Sequence, residues 1–194
     1  MQFYPYQGAK QNGPQRSTPH SWGLGEMAVL ELVENLPKDI SYHIFIDNFF
    51  TSVILMKFLG DKNIKASGIL KQNRITKDCT IARRPFMDKT RRGHVEQQTA
   101  SYNATIVGWK DNKVVYFTSN SDGNSPQVAV ERYCRDSKAK IMVQQPQSMN
   151  KYNKYMGDVD RADQNISSYR IAVRSNKWWW ALFSWVPNMI IQNA

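Results

Sequence analysis

The sequence predicts an α/β fold, and three stretches predict it. At 42–59 the apolar run "YHIFI" is followed by Asp47, a turn and an amphipathic segment, which reads as strand, turn, helix. Between 66 and 145, short runs rich in β-branched and aromatic residues alternate with turn residues. After Pro146 the apolar residues return to helical spacing. With 194 residues, 41% of them hydrophobic, the chain can bury a core as one domain or as one domain with an insertion.

Taken in order, residues 1–25 are rich in Gly, Pro, Gln and Ser and end in "SWGLGE", a turn feeding a helix over "EMAVLELVENL" that Pro37 stops. "SYHIFI" is apolar on both faces at Ile44, Phe45 and Ile46, as a central strand covered on both sides would be. "TSVILMKFLG" sets Ile54, Leu55, Phe58 and Leu59 on one helical face, with Thr51 as the cap and Gly60 near the stop. "KASGIL", "ATIVGW", "KVVYFTS" and "AKIMVQQ" read as strands, with Asp111 and Asn112 in a hairpin turn between the middle two. Helices follow through "SMNKYNKYMGDVDRADQNISSY" and "KWWWALFSWVPNMIIQN", and no internal repeat is present.

Charge narrows the class of partner. The chain carries 26 Lys and Arg against 16 Asp and Glu, a net charge of +10, and such a surface favours polyanions. Most of the surplus lies at 57–92, where 11 cations stand against 3 aspartates. Lys71, Arg74, Lys77, Arg83, Arg84, Arg91 and Arg92 therefore form a candidate phosphate-tracking loop, the alternative being a solvated basic loop. Arg170, Arg174 and Lys177 recur at spacings of four and three, a helical face suited to phosphate contacts or simply exposed.

The two cysteines, Cys79 and Cys134, make no CxxC pair and argue for neither a disulfide framework nor a zinc ribbon, so a reduced intracellular setting fits. The first 25 residues hold no long apolar run of a secretory signal. Trp178–Ile191 is too short to span a bilayer and contains Pro187 and Asn188, so a soluble protein is expected. Trp178, Trp179, Trp180 and Trp185 could stack on bases, but beside Leu182 and Phe183 they fit a packed core better. His20, His43 and His94 share no spacing that suggests a site.

Two readings of the late acidic segment stand side by side. On a continuous helix Met149, Tyr152, Met156 and Val159 form an apolar stripe, and Asp160 and Asp163 fall within roughly 40° of Met156, inside that stripe. Carboxylates there would need a cation or a donor to meet them. Alternatively Gly157 interrupts the helix, and "GDVDRAD" is a solvated acidic start to a new one. Asp47 likewise reads either as a helix cap or as a carboxylate at the C-terminal end of a strand, where α/β sheets place their sites. Such acids on a basic protein suggest Mg²⁺-assisted phosphoryl transfer on a nucleic acid.

"GLGE" at 23–26, "DNFFTS" at 47–52, "GILKQNR" at 68–74, "KYNKYMGDVDRADQ" at 151–164 and "KWWWALF" at 177–183 together resemble the piggyBac transposase family, in order and in spacing, over most of the chain. The resemblance implies an RNase H-like core made of 1–65 and the helical 147–194, with a strand-rich basic insertion at 66–146. It implies that Asp47 matches the second of three metal-holding aspartates, Asp160 the third, and Asp163 a further acid beside the site. It also implies Mg²⁺ as cofactor, DNA as partner and the nucleus as location. The family's first aspartate lies upstream of the segment that "FYPYQG" resembles, and no acidic residue precedes Glu26. Its N-terminal dimerisation region and C-terminal zinc domain have no counterpart here, and Asp158 stands where the family pattern has a second Gly.

These points lead to the expectation of a DNA-binding, transposase-derived protein that is incomplete as a catalyst. The rivals are an active Mg²⁺-dependent nuclease completed by another acid, such as Asp39 or Glu26, and a structural remnant without either activity.

Overall fold

The computed structural model describes residues 22–75, 77, 79–99, 104–135, 137–169 and 173–192, which form two compact units, one running to Asn153 and the other from Lys154. In the first unit helix α1 (Leu24–Glu34) precedes strand β1 (His43–Ile46), helix α2 (Val53–Asp61) and strand β2 (Lys65–Leu70). A 3-10 turn (Gln72–Arg74), the short helix α3 (Arg84–Met87) and strands β3 (Val95–Thr99), β4 (Thr105–Lys110) and β5 (Val114–Ser119) follow. Strands β6 (Gln127–Cys134) and β7 (Ala139–Pro146) then lead into helix α4 (Gln147–Tyr155).

Five strands make one sheet in the order β1-β2-β5-β4-β3, with β1 parallel to β2 and the other pairs antiparallel. Strands β6 and β7 form a two-stranded sheet of their own. The mixed α/β class is thus as the sequence predicts. The expected place of "SYHIFI" is corrected: β1 pairs only with β2 among the described residues, at the sheet's edge, and only Ile46 of its four residues is buried. An apolar run marks burial, and burial beneath helices at an edge gives the same signal as a central position.

The core lies where α1 and α2 meet the sheet. Leu30, Leu55, Met56, Leu59, Ala66, Leu70, Ile106 and Tyr116 are among its buried members. One polar side chain stitches this region: Asn120 accepts from the Ala66 amide at 2.8 Å and donates to the carbonyls of Ile64 at 2.9 Å and Met56 at 3.1 Å. It thereby satisfies three backbone groups at the junction of α2, β2 and the end of β5.

The basic segment at 71–93 is built into the fold. Ile75, Cys79, Ile81 and Met87 are buried, the Ala82 amide donates to Glu96 at 2.9 Å, and the Tyr116 hydroxyl donates to the Ala82 carbonyl at 2.7 Å. Burial raises the Tyr116 pKa.

In the second unit the helix ends at Tyr155 and starts again at Gly157 as α5 (Gly157–Tyr169), followed by α6 (Trp180–Gln192), which packs on α5. The continuous apolar stripe is therefore corrected: Met149 and Tyr152 are buried on α4, whereas Val159 on α5 is 58% exposed. Residues 173–179 are not helical, so Arg174 and Lys177 do not share a helical face; Arg170 lies outside the described residues. The expected packing is corrected for two of the four tryptophans: Trp178 is 85% exposed and Trp179 is exposed, as are Leu182 and Phe183, whereas Trp180 and Trp185 are half-buried. Among the described residues no helix is long and apolar enough to cross a membrane.

Candidate active site

The loop after β1 carries Asp47, and its shape is set by its own backbone. The Asp47 carbonyl accepts from the amides of Phe50 (3.0 Å) and Thr51 (3.2 Å) and from the Thr51 hydroxyl (2.9 Å), which also reaches the Ile46 carbonyl at 3.2 Å. Thr51 is completely buried in this role. The N-cap of α2 is consequently Ser52, one residue later than expected, whose hydroxyl accepts from the Leu55 amide at 3.1 Å. The Asp47 side chain is half-buried and makes no hydrogen bond or ion pair among the described residues.

Three distant segments press on this loop. A Cβ at Gly68 would overlap the Thr51 hydroxyl and come within 2.6 Å of the Ile46 carbonyl, so β2 can run this close only with glycine there. A Cβ at Gly25 would come within 2.8 Å of the Phe49 carbonyl, so α1 meets the loop in the same way. From the 3-10 turn, Arg74 Nη1 donates to the carbonyls of Thr51 at 2.7 Å and Phe49 at 2.9 Å, with that of Asn48 at 3.4 Å. The Lys71 ammonium stands 5.7 Å from the centre of the Phe49 ring. Glu26 ties the ends together: one carboxylate oxygen accepts from the Gly23 amide at 2.7 Å, opening α1, and the other from the Ser52 hydroxyl, opening α2. Glu26 is thus occupied as a double cap.

A second polar group, which sequence reading missed, spans β1, β2 and the end of β5. His43 Nε2 lies 2.9 Å from the Ser67 hydroxyl, which is 2.7 Å from that of Ser119, and 3.8 Å from Asp122, which also pairs with Lys151 of α4 at 2.6 Å. Burial lowers the His43 pKa; Asp122 opposes the shift, and Lys151 and Lys65 add to it. Asp122 approaches the same nitrogen as Ser67, so the three do not form a relay through the two ring nitrogens. No spacing in the sequence signals this group, because its members meet only through strand register.

Asp158 and Asp160 lie in the first turn of α5, and Asp163 one turn on. All three are exposed, as the reading with a helix break at Gly157 has it, and the α5 N-terminus favours their charge. Asp158 has only a loose pair with Arg161 at 4.0 Å, and Asp160 and Asp163 make none among the described residues. Among those residues no group of three His, Cys, Asp or Glu side chains comes together to hold a metal ion. At the end of β1, Asp47 offers a carboxylate that has no partner among the described residues, which suits Mg²⁺ as one of the one or two it takes beside phosphate oxygens and water.

The predicted phosphate contacts separate by what they touch. Lys71, Lys77, Arg84, Arg91, Arg174 and Lys177 are exposed. Arg92 is paired with Asp111 at 2.6 Å and donates to the Tyr133 carbonyl, Arg83 is half-buried, and Arg74 faces backbone carbonyls.

The five-stranded sheet and its helices define a mixed α/β unit, and a solved structure shares this fold. A piggyBac transposase synaptic complex with hairpin DNA, solved by cryo-electron microscopy, matches with a TM-score of 0.68 at 25% identity over 94% of this chain and 35% of that one. The chain belongs to the piggyBac-type transposase family, since the family profile described as Transposase IS4 matches residues 1–194. Among human proteins, PiggyBac transposable element-derived protein 3 is 34% identical over 195 aligned residues, covering 99% of this chain and 32% of the relative. PiggyBac transposable element-derived protein 2 is 33% identical with the same coverage. The chain thus spans about a third of the length of these curated relatives.

Proposed function

We propose that this chain is a transposase-derived DNA-binding unit acting in the nucleus, with an RNase H-like core whose strand-end acid, Asp47, serves as a metal ligand. The observation that carries the reading is the loop at 47–52, held by three separate segments while its carboxylate has no partner among the described residues. The parallel β1–β2 pair joined by α2, followed by antiparallel strands, supports the core assignment. The separate β6–β7 sheet supports a strand-rich insertion within 66–146, although β2, β3, β4 and β5 share the sheet of β1.

In this reading Asp47 would be a ligand to Mg²⁺, which when bound polarises phosphate oxygens and activates water. Exposed cations such as Lys71, Lys77, Arg84 and Arg91 contact the backbone phosphates. A site that gathers few carboxylates binds Mg²⁺ weakly, so DNA binding is the chain's main activity and strand transfer falls short. The test is duplex affinity against salt, together with nicking of labelled duplex in Mg²⁺ or Mn²⁺. Affinity should fall steeply as salt rises. A flat response would end the DNA-binding reading. Efficient nicking that is lost in both Asp47→Ala and Asp160→Ala would instead make the chain a working nuclease.

A further inference from the structure

We infer that Arg74 is a positioning residue for Asp47, a brace on the loop rather than a contact to phosphate. The observation is the direction of its donors. Nη1 carries two N–H groups, and the two short bonds, to Thr51 at 2.7 Å and Phe49 at 2.9 Å, use both; Asn48 at 3.4 Å is a longer, shared acceptor. These three carbonyls belong to a turn, and among the described residues no helix or strand ladder supplies donors for them. A charged donor is the stronger kind of partner for such groups.

The geometry makes the brace act on Asp47. Phe50 and Thr51 close the turn by donating their amides to the Asp47 carbonyl. Fixing the Phe49 carbonyl fixes the peptide plane that carries the Phe50 amide, and fixing the Thr51 carbonyl anchors the far side of the residue whose own amide closes on Asp47. The arm itself starts from a fixed base, because the Arg74 amide donates to the Lys71 carbonyl at 2.9 Å in the 3-10 turn just after the buried Leu70. A cation among seven basic candidates at 71–92 is thus turned inward, where phosphate has no role. The consequence for metal binding rests on the function proposed above; the brace does not.

The experiment uses the full chain with Arg74→Gln and Arg74→Lys, and reads amide hydrogen exchange, Mn²⁺-induced broadening of the resonances of 46–49, and the salt slope of duplex affinity. Arg74→Gln should speed exchange at Phe50 and Thr51 by about tenfold relative to Phe117, which reports the sheet. It should weaken Mn²⁺ broadening by about tenfold, Arg74→Lys should recover part of both, and the salt slope should stay as in the native chain. Unchanged exchange at Phe50 and Thr51, or a slope reduced by about one, overturns the inference, the latter by making Arg74 a phosphate contact. If Arg74→Gln does not fold, Arg74→Lys decides: faster exchange at Phe50 and Thr51 alone upholds the brace, and none refutes it. Faster exchange in a chain whose native form shows no Mn²⁺ broadening upholds the brace and removes the metal reading.

Discussion

Asp47 sits on a loop gripped by α1, β2 and the turn at 72–74, whereas Asp160 and Asp163 stand exposed on the first turns of α5 with no partner among the described residues. The two segments carry the same side chain in opposite states of preparation. Around Asp47 the backbone is fixed in advance, so a ligand meeting that carboxylate finds it already ordered. On α5 the acids are exposed beside the helix terminus, with no partner for Asp160 or Asp163 among the described residues, and their arrangement depends on the helix as a body.

The sharpest way to break this comparison is Gly68→Ala, because the new Cβ has to displace the Ile46 carbonyl or the buried Thr51 hydroxyl. Overpacking of this kind should cost about 1–3 kcal/mol in urea unfolding. A neutral result would mean that the loop gives way easily and is not preorganised. Next is Ser52→Ala, which removes the α2 cap and one partner of Glu26, and should lower stability by about 1 kcal/mol in the same assay. Smallest of all, Asp160→Asn and Asp163→Asn should each shift stability by no more than about 0.5 kcal/mol, as exposed changes do. If either destabilises the chain more than Ser52→Ala, the contrast between the two segments is reversed.

Much of the first segment was readable in advance. The strand, turn and helix at 42–61 follow from apolar spacing, and the hairpin of β4 and β5 from its turn at Asp111 and Asn112. The cap was misplaced by one residue because Thr51 and Ser52 are equally able to cap, and the choice is made by the approach of β2, which draws Thr51 back onto Asp47. Strand β6 was missed although its exposure alternates residue by residue, since Glu131, Arg132 and the small Ala129 dilute the hydrophobic signal that the search for strands relied on. Arg74 was read with its basic neighbours because composition cannot say which way a guanidinium faces. The exposed tryptophans teach the same lesson from the other side, for hydrophobicity measures preference for burial and not its attainment.

Glu26 bears on how these segments can change over time. One carboxylate opens two helices at once, so a substitution there is felt at both Gly23 and Ser52, and a compensating change at either end repairs only half of the loss. Mutations at 23, 26 and 52 should therefore show epistasis in double-mutant cycles, and the short stretches that contain them are expected to be inherited as a set rather than to drift one residue at a time.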